Sequence, residues 1–185
     1  MKHSHPVDFV ECLLAEAESV AEGQISVYRC HPQSLFDDRT VYRVPIGNLR
    51  TKYNELTEQL EQGQDIAFDS VVTMNDGSQR HLGLLDFLTS EPEPVQKASG
   101  LLVTEYGASR AALVHSGKSY HLYMGVFLSH ASWVQFMGRV LLLNRRDEPA
   151  TVDQRWVGHR LMGGYGSLRW SAKTSPCLPK VIREW

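Results

Sequence analysis

At 185 residues, with 42% apolar and 22% charged side chains and a formal net charge of -2, the chain has the make-up of a globular domain, which excludes disordered and fibrous classes. No apolar run approaches the roughly 20 residues that a membrane helix needs. The start, MKHSHPVDFVECLL, has no long apolar stretch before a small-residue cleavage site, so a signal peptide is not expected. Cys12, Cys30 and Cys177 are widely spaced and include no CxxC pair, which fits reduced thiols in a cytoplasmic protein.

In chain order, Val10, Leu13, Leu14, Ala17 and Val20 recur at helical spacing, with Pro6 near the start and Gly23 just past the end. ISVYRC (25–30) and TVYRVPI (40–46) read as strands. A second helix follows between Asn48 and Gly63, with Leu49, Tyr53, Leu56 and Leu60 on one face. IAFDSVVTM (66–74) and HLGLLDFL (81–88) are strands, and Asp76 with Gly77 between them predicts a hairpin turn. SEPEPV (90–95) reads as a loop, and a short helix from about Val95 to Tyr106 then stops at Gly107.

RAALVH (110–115) and YHLYMGVFL (120–128) are the next strands. Ser129 then predicts the N-cap of a helix whose apolar stripe is Trp133, Phe136, Met137, Val140 and Leu141. A last strand is expected near GSLRWS (166–171). Strands interleave with helices, without repeats or a long linker. The expected fold class is therefore α/β (α+β), a mixed, largely antiparallel sheet with flanking helices in a single domain over 1–185.

The net charge hides an asymmetry. Residues 145–185 carry eight Lys/Arg against four Asp/Glu, and residues 1–144 eleven against seventeen. A basic C-terminal segment on an acidic body suits a polyphosphate or a nucleic-acid backbone, and equally a solvated tail.

Three stretches carry chemistry. In HSGKSYHLY (115–123), Gly117 lets the backbone turn tightly while Ser116, Lys118 and Ser119 offer hydroxyl and ammonium donors, a turn able to hold phosphate oxygens. It lacks the GxxxxGK[ST] spacing of a P-loop, and a plain hairpin turn is the alternative. His121 shares a strand face with Ser119 and Tyr123. In GLLDFL, Asp86 stands in an apolar strand, where an ionised carboxylate must be paired, metal-bound or at the strand end. In VDQRWVGHRLMGGYGSLRWS, Asp153 precedes Arg155, His159 and Arg160, a glycine-rich turn, and Arg169. The competing reading is that Asp153 caps a short helix and the arginines are solvated.

The order of these elements resembles the catalytic core of the archaeo-eukaryotic primase superfamily, which includes primase–polymerases. That pattern is a strand with Asp-x-Asp or Asp-x-Glu, a Ser-x-His strand after a glycine turn, a third carboxylate, and a trailing element. Here Asp86 matches the first acid, Ser119 and His121 the Ser-x-His pair, Asp153 the third carboxylate, and LRWSAKT (168–174) the trailing element. The match covers about residues 80–175, while residues 1–79 match only in being α/β.

The resemblance implies a metal-dependent nucleotidyltransferase. Asp86 and Asp153 would be its catalytic, metal-binding residues for Mg²⁺ or Mn²⁺, and Ser116, Lys118, Ser119, His121 and Arg169 would grip a nucleoside triphosphate. It further implies DNA or RNA as partner, within a larger nucleic-acid-processing assembly; from the lack of a long apolar run, no membrane partner is expected.

One position departs from the pattern. Two residues after Asp86, where the second acid belongs on the same face, stands Leu88. Asp69 or Glu91 would have to substitute. The departure also points to a catalytically lapsed nucleotide- or nucleic-acid-binding module. A third class, an unrelated small enzyme, lacks HExxH, Gly-x-Ser-x-Gly and Cys/His ligand spacings.

Overall fold

The computed structural model describes residues 2–29, 38–175 and 177–185. In chain order its elements are α1 (Pro6–Glu16), β1 (Val20–Arg29), β2 (Arg39–Pro45), α2 (Leu49–Gln59), β3 (Gln64–Met74), β4 (Gln79–Asp86), α3 (Pro92–Glu105), β5 (Ala111–His115), β6 (Tyr120–Leu128), α4 (His130–Leu141), α5 (Gln154–Gly163), β7 (Ser167–Arg169) and β8 (Lys180–Glu184). Among the described residues the strands form one sheet in the order β2-β1-β3-β4-β6-β5-β8, with β7 paired to β3 off that path. Every pairing is antiparallel. No helix among the described residues is long and apolar enough to cross a membrane.

Two apolar layers sandwich the sheet. On one side α1 and α2 bury Val10, Leu14, Leu49 and Leu56 against Ile25, Phe68, Leu84 and Trp170. On the other, α3, α4 and α5 bury Val95, Leu102, Trp133, Phe136 and Val157 against Leu85, Leu113 and Leu122. The alternation along β6 explains the division: Tyr123 joins the first layer, while Leu122 and Met124 join the second. Gly125 lets α1 approach β6, because a Cβ there would lie 2.8 Å from Leu13 Cδ1 and 3.1 Å from the Arg110 carbonyl oxygen.

Three boundaries differ from expectation. α1 ends at Glu16, and Val20 opens β1 opposite Met74, so its helical spacing is coincidental. Gly23 lies within β1, packed close to Phe68, Leu49 and Leu14, instead of stopping the helix. Within SEPEPV, Pro92 occupies the first turn of α3, where a missing N–H breaks no helical hydrogen bond. Periodicity also missed β8, a short edge strand. It pairs with β5 while the Val181 N–H donates to the Ser4 carbonyl at 3.0 Å, tying the C-terminal strand to the N-terminal segment. Cys30, the expected end of the first strand, lies outside the described residues. Cys12 and Cys177 are free thiols.

Candidate functional site

The sheet forks, and the candidate site lies at the fork. β3 pairs with β4 only at Val71, Val72 and Thr73. Nearer its start, at Ala67, Phe68 and Asp69, its partner is β7 instead. β4 therefore leaves β3 as it runs toward Asp86, and β7 occupies the gap.

Four side chains named from the sequence lie near one another there, with Asp86 and His121 the closest pair. Asp86 ends β4 directly opposite His121, near the start of β6, and Asp86 Oδ1 lies 3.6 Å from His121 Nε2. Asp153 arrives by a short ladder beyond β4: the Leu88 N–H donates to the Thr151 carbonyl (2.9 Å), Phe87 bridges Val152, and the Asp153 N–H donates to the Asp86 carbonyl (3.2 Å). Arg169, at the end of β7, donates to the carbonyls of Ser116 and Ser171 and to the Ser175 hydroxyl at 3.0 Å.

HSGKSYHLY forms the β5–β6 turn. The Ser116 N–H donates to the Ser119 carbonyl (2.9 Å), the two serine hydroxyls lie 3.2 Å apart, and Gly117 adopts φ +110, a conformation that favours glycine. Lys118 stands exposed at the tip.

The electrostatics follow from this crowding. Burial first, and the neighbouring Asp153 carboxylate second, push the Asp86 carboxyl well above its usual range, while Arg169 opposes them. Burial, then Arg169 and His115, lower His121 to about 3, so its imidazole is neutral. Near the pair, His121 Nδ1 is buried without a hydrogen-bond partner among the described residues, while the Tyr123 hydroxyl and the Trp170 indole are hydrogen-bonding neighbours. Buried polar atoms are ordinarily satisfied, so His121 Nδ1 is a site for water or for a polar atom of a ligand.

Other polar residues have different work. One Asp153 oxygen, Oδ1, caps α5 by accepting from the N–H groups of Arg155 (2.9 Å) and Trp156 (3.0 Å). The arginines of this stretch are not uniformly solvated, since Arg160 is buried. Asp69, considered as a substitute metal ligand, is fully buried against Arg39 Nη1 (3.3 Å) and the Ser26 hydroxyl (2.9 Å). Burial raises it to about 6, with Arg39 opposing. Glu91 is exposed at the start of α3. Sequence reasoning missed Asp65. The only signal for Asp65 was a second acid in the DIAFD repeat of β3.

This donor set does not fit a two-metal centre. Such a centre needs several carboxylates converging on two cations. Here Leu88 stands in the second acidic position, over half exposed, and Asp153 commits one oxygen to a helix cap. Among the described residues no group of three or more His, Cys, Asp or Glu could hold a metal ion.

The class defined by this fold and site is an α/β sandwich with an acid–histidine–arginine cluster at a forked sheet. A family comparison places it further. The AEP-like family, described as archaeo-eukaryotic primase 1D-like, matches residues 47–182, and the chain belongs to that family. The match begins well before the motif-bearing stretch and takes in α2 and the fork. Comparison with curated proteins finds no match.

Proposed function

We propose that the chain binds a nucleoside triphosphate in the fork cleft, as a nucleotide- and nucleic-acid-handling member of the primase family that has lost two-metal nucleotidyl transfer. The observation that carries this reading is the convergence of Asp86, His121, Asp153 and Arg169 from four separate elements on one place. In this reading Ser116, Ser119 and Lys118 meet phosphate oxygens from the β5–β6 turn, and Arg169 supplies a planar fork. Neutral His121 offers a hydrogen bond without adding charge. Asp86 and Asp153 share one Mg²⁺ or Mn²⁺ that travels with the triphosphate, and the cation relieves the repulsion between the two carboxylates.

The test combines calorimetric nucleotide binding, with Mn²⁺ or with chelator, and primer extension with labelled nucleotide. Binding that strengthens with Mn²⁺ in the wild type but not in Asp86→Ala/Asp153→Ala is expected, with no extension by either. Extension by the wild type that vanishes in the double variant would restore the transferase reading. Absence of nucleotide binding under both conditions would remove the cleft from consideration.

A further inference from the structure

Asp65, near the start of β3, is fully buried and takes no part in the cluster above. Its carboxylate accepts from three groups of one segment: the Ser171 hydroxyl and the Lys173 N–H (3.0 Å) on Oδ1, and the Thr174 hydroxyl on Oδ2. The Ser171 hydroxyl in turn accepts from the Ile66 N–H at 2.8 Å, which locks the start of the segment onto β3.

The far end of the same segment lies on the β5–β6 turn. A Cβ at Gly117 would lie 2.9 Å from Ser175 Oγ and 3.3 Å from Cys177 Sγ. Residues 171–175 thus run from a buried carboxylate to the turn expected to hold phosphate.

Arg169 joins the two. Its Nη2 has two hydrogens, and the Ser116 carbonyl and the Ser175 hydroxyl accept both. A guanidinium grips phosphate with two adjacent N–H groups, and a fork that includes Nη2 needs one of these hydrogens back. The Ser116 carbonyl belongs to the turn itself. The Ser175 hydroxyl belongs to the segment that Asp65 holds, so it is the partner that can be exchanged.

We propose that Asp65 is a positioning residue of the cleft: by holding residues 171–175 it keeps the Ser175 hydroxyl on Arg169, and a polyphosphate engages Arg169 by displacing that hydroxyl. This rests on the phosphate-binding reading given above. Asp65 touches no phosphate. It sets the strength of the internal competitor.

The test uses inorganic tripolyphosphate with chelator present, titrated into wild type, Asp65→Asn and Ser175→Ala, with amide hydrogen exchange followed across residues 171–175. The Lys173 amide should exchange at least about tenfold faster in Asp65→Asn alone. Both variants should bind tripolyphosphate about three- to tenfold more tightly than wild type, the range set by one competing hydrogen bond. If Asp65→Asn does not fold, Thr174→Val, which removes one of the three donors, takes its place.

Faster exchange with unchanged or weaker binding in both variants overturns the competition and leaves the phosphate reading standing. Tighter binding by Ser175→Ala alone, or unaltered exchange in Asp65→Asn, overturns the part given to Asp65. Failure of all three proteins to bind tripolyphosphate overturns the phosphate reading and this proposal together.

Discussion

Leu88 stands where the primase-family pattern has a second carboxylate, in a position that alternation puts on the Asp86 face. It follows Asp86 by two residues, its N–H is fixed to the Thr151 carbonyl, and it is over half exposed. An exposed leucine here contributes little to the core, so replacing it should change stability by no more than about 0.5 kcal/mol. Leu88→Asp adds a third carboxylate beside Asp86 and Asp153. Its Mn²⁺ affinity, followed by calorimetry, should rise at least about tenfold over wild type, because ligand charge count sets affinity for hard cations. Unchanged affinity would mean that position 88 does not face the pair. Asp86 shows the complementary cost. Burial first, and the neighbouring Asp153 carboxylate second, favour its protonated form, with Arg169 opposing.

The element that ties function to stability is α5. Its N-terminus is capped by Asp153, the same residue that brings a second carboxylate to Asp86. The two roles separate by substitution. Asp153→Ala removes the cap and should lower unfolding free energy by about 1 kcal/mol in urea titrations. Asp153→Asn keeps a capping oxygen and should stay within a few tenths of wild type. Mn²⁺-dependent tightening of nucleotide binding should disappear in both. If Asp153→Asn retains that tightening, the carboxylate is a cap and nothing more. At the other end, Gly164 in the left-handed conformation stops the helix and sends the chain into β7, which places Arg169 in the fork.

Across the whole molecule, buried titratable groups set the response to pH. Burial is the first cause that lowers His5 to about 4, His81 to about 4 and His121 to about 3. The folded state keeps these rings neutral, whereas the unfolded chain binds protons on them below about pH 6.5. Their contribution to stability is therefore present above pH 6.5 and is lost as pH falls toward 4. Asp69, raised to about 6, and Asp86, also raised, act in the opposite sense: each favours the folded state at low pH and loses that contribution as pH rises. Three groups outweigh two. Urea unfolding between pH 6.5 and 4.5 should show stability falling by about 1 kcal/mol per pH unit, after discounting for partial exposure. A stability that rises over the same interval would contradict the burial of these histidines.

Local pattern alone determined much of this chain. A continuous apolar and aromatic run gave the span of β6 from Tyr120 to Leu128, Ser129 capped α4, and Asp76 with Gly77 made the β3–β4 turn. These depend on neighbours a few residues apart, and such contacts are legible in any linear reading. Val20 and Gly23 misled for the same reason, because their spacing suits a helix while their partners, Met74 and Phe68, lie far along the chain. The cleft was legible only as an ordered set of residue types. Joining Asp86 to Asp153 required the short ladder of residues 86–88 with 151–153, and bringing Arg169 to Ser116 required β7 to replace β4 beside β3. Asp65 and its hold on residues 171–174 had almost no local signature. Secondary structure follows from short-range sterics and patterning, whereas a site assembled from distant strands is decided by which edges pair, and only the folded sheet makes that choice.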